Sequence, residues 1–108
     1  MTGVQTCALP IFYEQTGEWE KALENYKEYN RLKRELYEAS PGVLAYKNGL
    51  AISYLFLGEL YEQQQKNTEA KPYYQQGQRL LQEINNATPG IHLVVANLNY
   101  VNGRLAQM

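Results

Sequence analysis

The chain has no aspartate, one cysteine (Cys7) and one histidine (His92), and each scarcity excludes a class of function. A single Cys with a single His supplies neither a structural zinc site nor a disulfide framework, so no metal and no cofactor is expected. Without aspartate, an Asp-based active site is impossible. Charge of one sign is not in excess: 10 Lys+Arg face 11 Asp+Glu across 108 residues. A balance of −1 gives neither a nucleic-acid footprint nor an anionic-membrane anchor. No apolar run approaches the about 20 residues that a membrane-spanning helix needs. A helical RNA-binding repeat is disfavoured by the same charge balance. What is plentiful is glutamate, which accounts for every acidic residue, and tyrosine, with 10 copies. Both tilt the expectation toward a helical protein of one domain with 44% hydrophobic residues.

Residues 1–11, Met1-Thr2-Gly3-Val4-Gln5-Thr6-Cys7-Ala8-Leu9-Pro10-Ile11, read unlike the rest. They resemble the translation of a common sequencing-library adapter that begins at a GTG start codon, and are expected to be non-native and outside the fold. Cys7 falls inside this stretch, so no redox or nucleophile argument rests on it. The natural start is then expected to be missing, so the lack of a signal peptide does not bear on export. A cytoplasmic location is the default expectation. Intact genomic sequence lacking these codons is the check.

Beyond residue 11 the chain repeats itself at a shift of 48 positions. Tyr13 falls on Tyr61, Ala22 on Ala70 and Tyr26 on Tyr74. Ser40-Pro41-Gly42 falls on Thr88-Pro89-Gly90, then Val43 on Ile91, Leu50 on Leu98 and Leu57 on Leu105. Each period carries two helical patterns. From 18 to 39, Trp19, Ala22, Leu23, Tyr26, Tyr29, Leu32 and Leu36 follow the spacing of one helix face. Ser40-Pro41-Gly42 stops that helix, because the residue before a proline is pushed out of helical geometry. A second helix is predicted over 43–64, with Leu50, Tyr54, Leu57 and Tyr61 along its core stripe. A third is predicted over 68–85, with Ala70, Tyr73, Tyr74, Gly77, Leu80, Leu81 and Ile84. Pro72 is read as close to its start, where a missing amide costs least. A fourth begins near Ile91. The expected fold class is all-α, built of antiparallel helix hairpins.

The residues offer no catalytic constellation. His92 has no partner placed by sequence, and Ser53 lacks the flanking glycines of a nucleophile elbow. Glu59 and Glu62 share a helix face at i, i+3 and are read as a solvated acidic face rather than a metal site. The cluster Arg31, Lys33 and Arg34 is interrupted by Glu28, Glu35 and Glu38, which again suggests a solvated face. Tyr13, Tyr61, Tyr26 and Tyr74 recur at repeat offsets and are expected in the core. Tyr46, Tyr54 and Tyr100 are less constrained, and a ring with a polar tip suits an interface.

Leu57-Gly58-Glu59-Leu60-Tyr61, followed by Ala70, Tyr74 and Gly77, resembles the tetratricopeptide repeat. That motif places a Tyr, an Ala, an aromatic and a small residue 3, 12, 16 and 19 positions after its Leu-Gly pair, as here. Tyr13, Gly17, Ala22 and Tyr26 match its second half in the preceding unit, and Leu105-Ala106 its Leu-Gly pair in the following one. The resemblance divides the chain into a partial unit 12–42, a full unit 43–90 and a partial unit 91–108, a fragment of a longer array. It departs from the family in its period, against about 34 residues per usual unit. Tyr29 stands where the family prefers a small residue, Gln65 replaces the turn glycine, and the closing prolines Pro41 and Pro89 come late.

The resemblance implies a stacked, right-handed α-solenoid whose first helices line a concave groove for a partner protein or peptide. Transferred position by position, that groove is lined by Ile52, Leu55, Glu59, Glu62 and Gln63, then by Tyr100, Gly103 and Gln107. The Lys/Asn carboxylate clamp of some members is absent, since Leu55 and Glu59 stand at two of its positions. A mildly acidic groove preferring neutral or basic apolar segments follows. The expected role is a non-catalytic protein-interaction module, its partner another protein or another domain of the same full-length chain. Similar long repeats in bacterial proteins suggest the alternative of a sensor segment of a signalling ATPase or caspase-like protease. Truncated repeat edges could also self-associate. Gly58, Ala70 and Gly77 are expected to be small because paired helices approach closely there.

Overall fold

A computed structural model of the protein describes residues 18–108, and every regular element among them is an α-helix. We number them α1 (Trp19–Ala39), α2 (Leu44–Gln63), α3 (Asn67–Ala87) and α4 (His92–Ala106). The segment 1–11, with Cys7, and the repeat positions Tyr13 and Gly17 lie outside the described residues. No described helix is long and apolar enough to cross a membrane.

Helix boundaries recur at the sequence period: α3 starts and ends 48 residues after α1, and α4 starts 48 residues after α2. The stops are alike as well. The Ser40 amide donates to the Leu36 carbonyl at 3.1 Å, and the Thr88 amide to the Ile84 carbonyl at 2.8 Å. None of the four N-caps makes a side-chain capping bond. Stability must therefore come mainly from burying helix faces, as is usual for helices of this length.

Contacts show how the helices run. Tyr26 meets Phe56, Asn30 meets Ser53, and Gly49 faces Lys33, so α1 and α2 are antiparallel. Lys47 pairs with Glu83 while Glu62 pairs with Tyr74, so α2 and α3 are antiparallel too. Helix α2 is the centre, touching α1, α3 and α4. It buries Leu50, Ala51, Ser53, Leu55, Leu57, Gly58 and Leu60, more than one face of its circumference. The expected stripe Leu50, Tyr54, Leu57 and Tyr61 is thus only part of its covered surface, and the two tyrosines are half-buried.

The α2–α3 seam is the tightest. A Cβ on Gly58 would stand 2.8 Å from the Tyr74 ring, and one on Gly77 would stand 2.6 Å from Leu55 Cδ2 and 3.1 Å from the Ala51 carbonyl oxygen. A mid-helix glycine costs about 0.5–1 kcal/mol against alanine. Here the missing side chain lets a fully buried tyrosine and a leucine fill the space between helices. Ala70, Leu80, Leu81 and Ile84 complete the α3 face. On the same side of α2 as α1 and α3, an aromatic row forms: Trp19 meets Tyr61 edge-on at 5.6 Å, and Tyr61 stacks on Tyr73 at 5.5 Å.

Helix α1 departs from its expected face. Tyr29, Leu32 and Leu36 are 40%, 46% and 43% exposed, while Ala22 and Asn30 are buried and Tyr26, Lys33 and Tyr37 half-buried. Among the described helices α1 packs on α2 alone. Ala22 and Tyr26 belong both to the apolar stripe and to the covered strip. From there on, the covered positions Asn30, Lys33 and Tyr37 lie one residue step, about 100°, round the helix from Tyr29, Leu32 and Leu36. A polar contact anchors it: Asn30 Nδ2 donates to Ser53 Oγ at 2.7 Å, and that hydroxyl donates to the Leu50 carbonyl at 2.7 Å. The expectation for Pro72 also needs correction. It is the sixth residue of α3, beyond the amides that lack partners anyway, so it removes a helix bond to the Thr68 carbonyl. Thr68 is exposed, so water can take the place of that donor.

Candidate functional site

Helix α2 presents its free flank to α4, and a trough runs between them. Its apolar half, about 280 Å³, is lined by Ile52, Leu55, Phe56, Asn97, Glu59 and Tyr100. Its polar half, about 440 Å³, is lined by Glu59, Glu62, Gln63, Tyr100 and Arg104. Glu59 and Tyr100 belong to both, and the Tyr100 hydroxyl donates to Glu59 Oε2 at their junction. The trough therefore changes from hydrocarbon to charge along its length, with a tyrosine at the boundary.

The polar half is built from the core outward. Because Gly58 has no side chain, the Tyr74 ring lies against α2, fully buried. From there its hydroxyl reaches through the seam and donates to Glu62 Oε1 at 2.7 Å. Arg104 completes the cluster by donating Nε to the same oxygen at 3.2 Å and Nη2 to Glu62 Oε2. Burial works to raise the Glu62 pKa, but the hydrogen bonds from Arg104 and Tyr74 outweigh it and hold the carboxyl below its ordinary value. Burial and the bond to Glu59 push the Tyr100 phenol up to about 12. Tyr74 is raised in the same direction, by burial first and then by the Glu62 carboxylate. The cluster sets two glutamates, Glu59 and Glu62, against one guanidinium, and each glutamate side chain already accepts a hydrogen bond.

Six of the eight residues expected in the groove (Ile52, Leu55, Glu59, Glu62, Gln63 and Tyr100) line this trough. Leu55 forms its floor, being almost entirely buried against α3. Gly103 and Gln107 are exposed and line neither half. The reading of Glu59 and Glu62 as a solvated acidic face is corrected for Glu62. Its side chain is only 20% exposed and is paired with Arg104, a residue too distant in sequence for local spacing to reveal. The mildly acidic character expected of the groove is correspondingly weaker. Phe56, Asn97 and Arg104 were missed. Phe56 and Arg104 occupy one repeat position, each four residues beyond a chosen one, Ile52 or Tyr100, so helical spacing could have found both.

Other candidates are solvated or structural. Arg31 is bracketed by Glu28 and Glu35, and Lys33 lies over the Tyr29 ring at 5.2 Å. His92 is exposed at the first position of α4. No group of three His, Cys, Asp or Glu side chains converges among the described residues.

Fold and site together define, over the described residues, an all-helical run of antiparallel neighbours with a trough between alternate helices. Its sequence matches no protein-family model, no curated protein and no solved structure.

Proposed function

We propose that the chain is a non-catalytic protein-interaction module of the tetratricopeptide type, its hairpins stacked as part of a right-handed solenoid. The partner is a peptide or a segment of another domain that lies in the trough between α2 and α4. One observation carries this reading: two helices in the same repeat register line a continuous depression with an apolar and a polar half. Such a surface takes an apolar side chain at Ile52, Leu55 and Phe56, and hydrogen-bonds the adjoining backbone at Gln63, Glu59 and Tyr100. Because Arg104 is committed to Glu62, it offers little attraction to a free carboxylate. Neutral or basic apolar segments are therefore favoured over acidic tails. A cytoplasmic setting fits this role.

A peptide array followed by fluorescence anisotropy tests the proposal. Neutral or basic apolar peptides should bind, and Tyr100→Ala should weaken the best of them by about tenfold or more with helicity unchanged. Strongest binding by acidic C-termini, or affinity indifferent to Tyr100 and Phe56, would sink it.

A further inference from the structure

The interface between α2 and α3 recurs as two unpaired halves at opposite ends of the described chain. Shifted back by one repeat, the α3 residues Gly77, Leu80 and Ile84 become Tyr29, Leu32 and Leu36 of α1. The first three are buried, Gly77 against Leu55 and Ala51 of α2; the second three form an exposed stripe, with one side of the Tyr29 ring on Phe56. Shifted forward, the α2 residues Ala51, Leu55 and Gly58 become Asn99, Gly103 and Ala106 of α4. Again the originals are buried and the copies exposed. Among the described residues, α1 thus has the role of α3 without its α2, and α4 has the role of α2 without its α3.

We propose that copies of this chain associate head to tail, α4 of one packing on α1 of the next in the register that α2 takes on α3. Size and charge both point to a second copy as the occupant. Within the chain, Leu55 fills the space left by Gly77. Between copies the sizes are exchanged at that position, because Tyr29 would enter the open space over Gly103, where an added Cβ meets nothing within 4 Å. Asn99, Gly103 and Ala106 are uncharged, and beside the α1 stripe Glu28 and Glu35 pair with Arg31 while Lys33 is held over the Tyr29 ring. Asn102, at the repeat position of Tyr54, is exposed on the α4 face with its amide oxygen accepting from Gln78, and Asn99 is a second polar side chain there. Asn99 takes the place of Ala51, whose backbone borders Gly77, so in the joined copies it stands beside Tyr29, whose phenol can hydrogen-bond its amide. An association between two different faces does not close on itself, so it builds chains rather than dimers.

Sedimentation velocity from about 10 μM to about 1 mM, the range expected of a modest interface, tests this. The average mass should rise with concentration past twice the 12.5 kDa of one chain. Tyr29→Arg and Gly103→Arg should each abolish that rise while circular dichroism stays helical. Mixed in equal amounts, the two variants should recover dimers and nothing larger, because each supplies the face the other lacks. This mixing also shows that both variants are folded. Monomers at every concentration overturn the proposal, as they would if the α1 stripe receives a different protein or residues that precede α1. So does a Gly103→Arg protein that associates as the parent does, which would mean α1 pairing with α1.

Discussion

Helices α1 and α3 are the same element written twice, one repeat apart, yet they hold their leucines in opposite environments. Leu80 and Ile84 are about 1% exposed, whereas Leu32 and Leu36, at the same positions of α1, are largely open to solvent. Both sequences carry large aliphatic residues at these two positions, so the difference lies in what stands opposite. Helix α3 lies between α2 and α4, while α1 has only α2 among the described helices. An amphipathic pattern records which face a helix is built to cover; whether that face is covered depends on the neighbour. The pair also shows how α1 stays attached while Leu32 and Leu36 are open. It sets Ala22 against α2, packs Tyr26 and Tyr29 on the Phe56 ring and adds the Asn30–Ser53 hydrogen bond.

The contrast can be broken by matched substitutions compared in dilute solution. Leu80→Ala should destabilise the fold by about 2–5 kcal/mol, the usual range for a buried leucine, while Leu32→Ala should cost under about 0.5 kcal/mol. Chemical denaturation of both reads the difference directly, and equal costs would mean that α1 buries its stripe in solution. A smaller gap should separate Gly58→Leu from Ala106→Leu, which fall at one repeat position of α2 and α4. The first drives a side chain into the Tyr74 ring and should cost roughly 1–3 kcal/mol, with the melting temperature lowered accordingly. The second adds to an exposed surface and should leave the melting temperature nearly unchanged. The smallest effect concerns how each helix is entered. Gln65 precedes α3 in the left-handed region at φ 60°, at the repeat position that Gly17 holds before α1. Gln65→Gly should stabilise the chain by about 0.5–1 kcal/mol, since glycine reaches that conformation without a side-chain clash. A loss of stability would show that the Gln65 side chain contributes more than its backbone strain removes.

Much of this architecture was legible in the residues. Helix ends predicted from Ser40-Pro41-Gly42 and Thr88-Pro89-Gly90 agree with Ala39 and lie within two residues of Ala87, because prolines and turn residues act through local backbone sterics. The α3 face from Ala70 to Ile84 was equally clear, since a helix packed along one side carries an uninterrupted stripe. Helix α2 was read less completely. A helix surrounded by three neighbours is apolar on most sides, and periodicity then gives no single direction. Ser53 and Asn30 could not be recognised as a buried pair, because 23 residues separate them and either alone suits a surface.

The trough divides along the same line. Ile52, Leu55, Glu59 and Tyr100 were placed through the resemblance to the tetratricopeptide repeat, carried over position by position from the sequence. The neutralisation of Glu62 by Arg104 and Tyr74 was not, because it joins three helices at one carboxylate.

The amino-acid order by itself determined that the chain is helical, where its helices begin and end, and that the pattern returns after 48 residues. All of these follow from local backbone preferences and side-chain spacing. Only the tertiary structure decided which apolar faces are covered and which carboxylate is paired. Burial and ion pairing depend on distances through space between residues far apart in the chain, and those distances exist only once the helices have packed.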